Sequence, residues 1–140
     1  MKIYFACSIT GGRDDEAYYK IIVDTLLADG HEVPTAHLSS SDVMSLEDSA
    51  DPVDVYERDM AWIESCHALV AEVSTPSHGV GYEISSALTK GKPVLCLHNE
   101  GLRVSKMLTG NIDSKILVRS YRNKDDIPHL LKEFLSQIEA

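Results

Sequence analysis

Five short apolar runs punctuate the chain, and between them the apolar positions spread out to helical spacing. Lys2–Cys7, His31–Ala36, Ala68–Val73, Lys92–His98 and Lys115–Ser120 have the β-branched and apolar density of strands buried in a parallel sheet. Pro34 suits the second run to a sheet edge, because proline lacks the N–H that a central strand must donate. Tyr18, Ile21, Ile22, Thr25 and Leu26 recur at helical spacing within 14–29, behind an acidic first turn and before Gly30 as a stop. A second helix is predicted from Pro52 or Val53 to Ser65, with Val55, Met60 and Ile63 toward the core and Tyr56, Asp59 and Trp62 on the flanking stripes. Ile84, Ala87 and Leu88, closed by Gly91, define a third helix whose N-cap is Ser77. The last, over 125–139, carries Ile127, Leu130, Leu131, Phe134, Leu135 and Ile138 on one face.

Strands alternating with helices in this way predict an α/β fold: a doubly wound five-stranded parallel sheet of the flavodoxin- or Rossmann-like kind, with strand order 2-1-3-4-5 and right-handed crossovers. The whole of 1–140 reads as a single domain. Ligands in such sheets bind beyond the carboxyl ends of the strands, where the order reverses, here between the first and third strands. Two turns flank that place. Ser8-Ile9-Thr10-Gly11-Gly12-Arg13 combines hydroxyls, glycines and a base that can wrap a phosphate or ribose, although neither the Walker pattern nor Gly-x-Gly-x-x-Gly is present. Thr75-Pro76-Ser77-His78-Gly79-Val80-Gly81-Tyr82-Glu83 opens the third helix, whose free N–H groups and positive dipole end attract an anion. The polar connection from Leu38 to Asp51 is long enough to act as a lid, and His37 sits just before it.

Composition narrows the ligand. A net charge of −9 disfavours nucleic acid, whose phosphates demand a basic face, so an anionic ligand must be small and locally held. No stretch approaches the roughly 18 apolar residues of a membrane span, and Met1 leads straight into a strand without a signal pattern, so a cytoplasmic protein is expected. Cys7, Cys66 and Cys96 are odd in number and widely spaced, which suggests neither a disulfide framework nor a zinc site. No metal and no cofactor is expected.

The crevice would bring together Tyr4, Glu83 and Asp59. Two carboxylates beside a phosphorylated sugar suit cleavage of a glycosidic bond: one attacks the anomeric carbon, the other, with a raised pKa, protonates the departing group. Each residue also has a plain structural reading: a first-turn acid favoured by the helix dipole for Glu83, a solvated or capping carboxylate for Asp59, and a packed strand tyrosine for Tyr4.

Tyr4-Phe5-Ala6-Cys7-Ser8-Ile9-Thr10-Gly11-Gly12-Arg13, Glu57-Arg58-Asp59-Met60-Ala61-Trp62-Ile63, and Val70-Ala71-Glu72-Val73 running through Ser77 to Glu83 together resemble the nucleoside 2-deoxyribosyltransferase family, nearest to its 2'-deoxynucleoside 5'-phosphate N-hydrolase branch. The resemblance covers nearly the whole chain. It implies Glu83 as the nucleophile of a covalent 5-phospho-2-deoxyribosyl-enzyme, Asp59 as the group assisting base departure, and Tyr4 as the residue positioning the nucleophile. It implies phosphate contacts from Ser77 and the Gly79 amide, and a nucleotide-wrapping loop of Ser8, Ile9, Thr10, Gly11, Gly12 and Arg13. Ser105-Lys106-Met107 resembles a segment that completes the neighbouring subunit's site, so a homodimer is implied, with Ser105 and Met107 as substrate contacts. His37 is a candidate base contact. Thr10 and Cys7 depart from the arginine and glycine of the vertebrate hydrolases, a loss of cation that weakens phosphate recognition unless Arg13, Lys106 or Arg103 compensates.

The expected activity is therefore hydrolysis of 2'-deoxynucleoside 5'-monophosphates to free base and 2-deoxyribose 5-phosphate. The alternatives are transfer of deoxyribose between unphosphorylated nucleosides, a ribonucleotide N-glycosidase, and a nucleotide-binding module without turnover, which fold alone would permit.

Overall fold

The computed structural model describes residues 1–9, 12, 14–42 and 47–139. Four parallel strands, β1 (Ile3–Ala6), β2 (Ala68–Glu72), β3 (Val94–Asn99) and β4 (Ile116–Tyr121), lie side by side in chain order. Their register sets Ile3 beside Ala68, Leu69 beside Val94 and Val94 beside Ile116. Helices α1 (Glu16–Ala28), α2 (Pro52–Ser65), α3 (His78–Thr89) and α5 (Asp126–Glu139) fill the two faces, and a single turn, α4 (Lys106–Thr109), precedes β4.

Because strand side chains alternate between faces, the sheet divides the core in two. Ile3, Phe5, Val70, Leu95 and Leu97 pack with Ile22 and Leu26 of α1 and Ile127, Leu131 and Phe134 of α5. Tyr4, Ala6, Leu69, Ala71, Val94 and Cys96 pack on the other face with Ile63 of α2 and Val80, Ile84 and Ala87 of α3. Each fully buried Leu or Ile side chain contributes about 2 kcal/mol. The helix ends follow the sequence signals: the Asp51 carboxylate accepts from Val53 N at 2.8 Å with Pro52 in the first turn, and Gly30 takes the positive φ of 85° that ends α1. Lys92 closes α2 from β3's side, its ammonium donating to the carbonyls of Glu64 at 2.9 Å and Cys66 at 2.8 Å. All three cysteines are buried thiols.

The expected fifth strand is absent among the described residues: four strands form the sheet, not five. Within His31–Ala36 only Glu32 pairs, in a single parallel bridge with Lys2, giving Ile3 N to Glu32 O at 2.8 Å and Glu32 N to Met1 O at 2.9 Å. Pro34 cannot extend the ladder, and the chain turns at Thr35 into a 3-10 helix over Ala36–Ser39. Thr35 replaces what is lost: its hydroxyl accepts from Phe5 N at 2.9 Å and donates to Phe5 O at 2.7 Å. The remaining order agrees with the expected one once that strand is removed. In the 38–51 connection, residues 43–46 lie outside the described residues, while Leu38 is buried and Glu47 reaches back to Arg58.

Candidate active site

Glu83 stands one turn into α3, behind the cap in which Ser77 Oγ accepts from Val80 N at 3.4 Å. Asp59 faces it from α2, and Tyr4 lies beneath on β1, fully buried. With Tyr56, Met60, Gly79 and Tyr82, the two carboxylates line a cavity of about 430 Å³. Gly79 leaves room over the nucleophile candidate: a Cβ there would stand 3.7 Å from Glu83 Oε1. At the rim the hydroxyls of Tyr56 and Tyr82 meet at 3.4 Å, tying α2 to α3.

The electrostatics follow from this burial. Desolvation pushes Glu83 up to about 7, the nearby charge of Asp59 pushes in the same direction, and the Tyr4 hydroxyl and the Arg58 cation pull it back. Glu83 Oε2 and the Tyr4 hydroxyl are buried without a hydrogen bond of full geometry, although the phenol already favours the ionised carboxylate. Bonds of this kind tighten when substrate closes a site. Tyr4 itself is held well above the usual phenol range by burial first and then by Glu83 and Asp59, so it is a permanent hydrogen-bond donor. Asp59 is also raised, chiefly by desolvation and further by Glu47; Arg58 and then His37 oppose the rise. A carboxyl raised above its ordinary range is a better proton donor, and a carboxylate that lines a cavity can attack an electrophile.

The two turns singled out in the sequence approach each other at Gly12 and Thr75. Gly12, at a φ of 123°, lies so close to the second turn that a Cβ would stand 3.7 Å from Thr75 Cγ2, and Thr75 Oγ1 donates to Asp15 Oδ2 at 3.0 Å. Ser8 is buried at the end of β1 and Ile9 packs against the α1 and α5 core. Thr10, Gly11 and Arg13 lie outside the described residues.

Ser105 and Met107 are not brought to Glu83 within one chain. They line a second cavity of about 560 Å³ between α3 and the 103–111 segment, together with Arg103, Ser85 and His78. Ser77 faces this cavity too, while its neighbour Gly79 faces the first. His37 does not line either one; its Nε2 lies 3.2 Å from Glu47 Oε1 and its ring 6.2 Å from that of Trp62. Among the described residues no three His, Cys, Asp or Glu side chains gather as metal ligands. No helix among them is long and apolar enough to cross a membrane.

Sequence reasoning gave no role to two groups. Arg58 Nε donates to Asp59 Oδ1 at 2.9 Å and its Nη2 to Glu47 Oε1 at 3.2 Å, a network that crosses the connection before α2 and leaves no periodic trace. Glu72 closes β2 as a second buried carboxylate: it accepts from Ser74 N at 2.6 Å, from Ser74 Oγ at 2.9 Å and from the Tyr121 hydroxyl, and it is likewise pushed up to about 7 by burial. Ser74 Oγ also accepts from Asn99 N at 2.8 Å, so this network fixes the turn that leads into α3.

Comparison with known proteins bears on the same constellation. A model of the nucleoside 2-deoxyribosyltransferase family matches residues 3–123. A Methanosarcina mazei protein named as a 2'-deoxynucleoside 5'-phosphate N-hydrolase is 39% identical over 133 residues, which span 95% of this chain and 83% of its own. The 5-hydroxymethyl-dUMP N-hydrolase of Esox lucius is 40% identical over 140 residues, 96% of this chain and 95% of its own. Clostridium botulinum CMP N-glycosidase superposes with a TM-score of 0.71 over 97% of this chain and 99% of its own at 20% identity, a likeness of fold. The family match covers both turns and both carboxylates of the site, and with these two relatives it places the protein: the chain belongs to the nucleoside 2-deoxyribosyltransferase family.

Proposed function

We propose that this protein hydrolyses the N-glycosidic bond of 2'-deoxynucleoside 5'-monophosphates, releasing the free base and 2-deoxyribose 5-phosphate. The observation that carries the reading is Glu83: a carboxylate pushed up to about 7 that lines one cavity with Asp59 and has Tyr4 beneath it. The relatives named as nucleotide N-hydrolases supply the substrate class.

In the first step the ionised Glu83 attacks the anomeric carbon as the C–N bond breaks, and Asp59 gives its proton to the departing base. A water then adds at the same carbon, Asp59 takes its proton, and the ester to Glu83 breaks to restore the free enzyme. Tyr4 donates to Glu83 and holds its orientation through both steps. Ser77 and the Gly79 amide, at the N-terminus of α3, bind the 5'-phosphate, with the Ser8–Arg13 loop wrapping the nucleotide and His37 as a base contact beneath the lid. Ser105 and Met107 contribute from a second copy, in a homodimer whose sites are shared. Met107 and Ile112 are 81% and 98% exposed in the single chain, as side chains awaiting a partner would be. Three buried thiols suit the reducing cytoplasm.

Purified protein, incubated with 2'-deoxynucleoside monophosphates, the matching ribonucleotides and unphosphorylated deoxynucleosides, should release base from the deoxynucleotides alone. Base exchange confined to unphosphorylated nucleosides would move it to the transferase chemistry, and release from ribonucleotides alone would reverse the sugar preference.

A further inference from the structure

Asp59 is not held by the cavity it faces. It is held from behind, by the residue next to it. Neighbouring side chains on an α-helix diverge by about 100°, yet the Arg58 guanidinium folds back so that Nε donates to Asp59 Oδ1 at 2.9 Å. The same guanidinium lies 4.9 Å from the centre of the Trp62 ring, one helical turn onward, so a cation–π contact holds it as well as the carboxylates do. Its Nη2 donates to Glu47 Oε1 at 3.2 Å, and that oxygen also meets His37 Nε2 at 3.2 Å.

We infer that Arg58 and Glu47 form a clamp that positions Asp59 for proton transfer, Arg58 fixing the carboxyl and Glu47 offsetting the positive charge that Arg58 brings to it. This rests on the reading of Asp59 as the proton donor. Neither clamp residue lines the cavity with Glu83, so both act through Asp59 rather than on substrate. An arginine alone against a proton donor would keep that donor ionised and useless; a second carboxylate on the same guanidinium divides its charge between two anions. The groups facing Asp59 are Arg58 from its own helix, Glu47 and His37 from the preceding connection, Glu83 from α3 and Tyr4 from β1. Arg58 lowers both Asp59 and Glu83, and Glu47 raises Asp59.

The test uses Arg58→Gln, Arg58→Lys and Glu47→Gln in the full-length protein, with two readouts. The first is the titration of Asp59 by carboxyl-carbon NMR of aspartate-labelled protein, its signal assigned with Asp59→Asn, which needs no turnover. Arg58→Gln should move the Asp59 midpoint to higher pH, Glu47→Gln should move it to lower pH, and Arg58→Lys should leave it near the wild-type position. The second is the pH profile of kcat. Arg58→Gln should displace the profile to higher pH and lower its maximum by about 10- to 100-fold with KM little changed, as misorientation of a reacting group does. Arg58→Lys, keeping charge but not the planar fork, should lower kcat without displacing the profile. An unchanged Asp59 midpoint in both Arg58→Gln and Glu47→Gln overturns the clamp, as does a fall in thermal stability with kcat and its pH profile intact. Should the wild-type protein release no base from any nucleotide, the reading of Asp59 as donor fails; the NMR titration then still decides whether the clamp exists.

Discussion

Two glutamates, the fully buried Glu72 and the half-buried Glu83, are both pushed up to about 7 by desolvation and sit on opposite faces of the same sheet in different surroundings. Glu72 shares its face with Val70 and the α1 and α5 core, where Ser74 and Tyr121 occupy both its oxygens. Glu83 lies among α2, α3 and Tyr4, with one oxygen unpaired and a cavity before it. A raised carboxyl is therefore not by itself a mark of catalysis. What separates the two is whether the surrounding structure has already answered the charge. Glu72 is a knot that ties β2, the following turn and β4 together, whereas Glu83 lines a cavity and has no such network around it.

Replacing each residue should break the symmetry most sharply. Glu83→Gln should lower turnover by at least about 10⁴-fold, as loss of a nucleophile does, while its thermal midpoint at pH 8 stays at or above that of the wild type because an ionised buried group has gone. Glu72→Ala should do the reverse in kind: a loss of about 2 to 3 kcal/mol in urea-unfolding stability, from stranding Ser74 N and the Tyr121 hydroxyl, with the chemical step affected only through the turn. Tyr4→Phe should lower kcat by roughly 10-fold or more. Removing the hydroxyl that favours ionised Glu83 should also shift the acid limb of the kcat/KM profile above its starting point near 7. Asp59→Asn should shift that limb the other way, since the Asp59 charge raises Glu83.

A more gradual effect, spread over several pH units, is on the pH dependence of folding. Glu72 is raised from the ordinary 4.5 to about 7 in the folded state, so the native protein binds its proton more tightly than the unfolded chain. The stability it contributes is complete below pH 4.5 and is lost as pH rises through about 7, a change of about 3 kcal/mol at most. Glu72→Gln should flatten this decline in urea titrations between pH 5 and 8. An unaltered slope would mean that Glu72 is ionised in the folded protein throughout.

What could be read from the chain follows the range of the interactions involved. Apolar runs and helical spacings reveal β1 to β4 and the four longer helices because they are local, and Glu83 stands out because it follows Ser77 and Gly79 in one helix start. The Glu72 network escapes such reading: Glu72 and Tyr121 are 49 positions apart, and Glu72 sits in an apolar run that reads only as a strand. Glu47 and Arg58 meet across a connection with no periodicity, 11 residues apart. The missing strand has a local cause, Pro34, whose presence pointed to an edge but not to how completely Thr35 would take over the pairing. Ser105 and Met107 were marked by resemblance alone, and in the single chain they stay apart from Glu83 and Asp59.

Thr35 has one more consequence. An outer strand with free amide and carbonyl groups is a template on which a second molecule can lay a strand of its own, and β1 is short, apolar and at the margin of its sheet. Glu32 occupies the Ile3 amide, and a single threonine hydroxyl occupies both the amide and the carbonyl of Phe5. Intermolecular β-pairing is thus blocked by a side chain where most sheets need another strand, and the protein is guarded against aggregation at the edge where its architecture is most abbreviated.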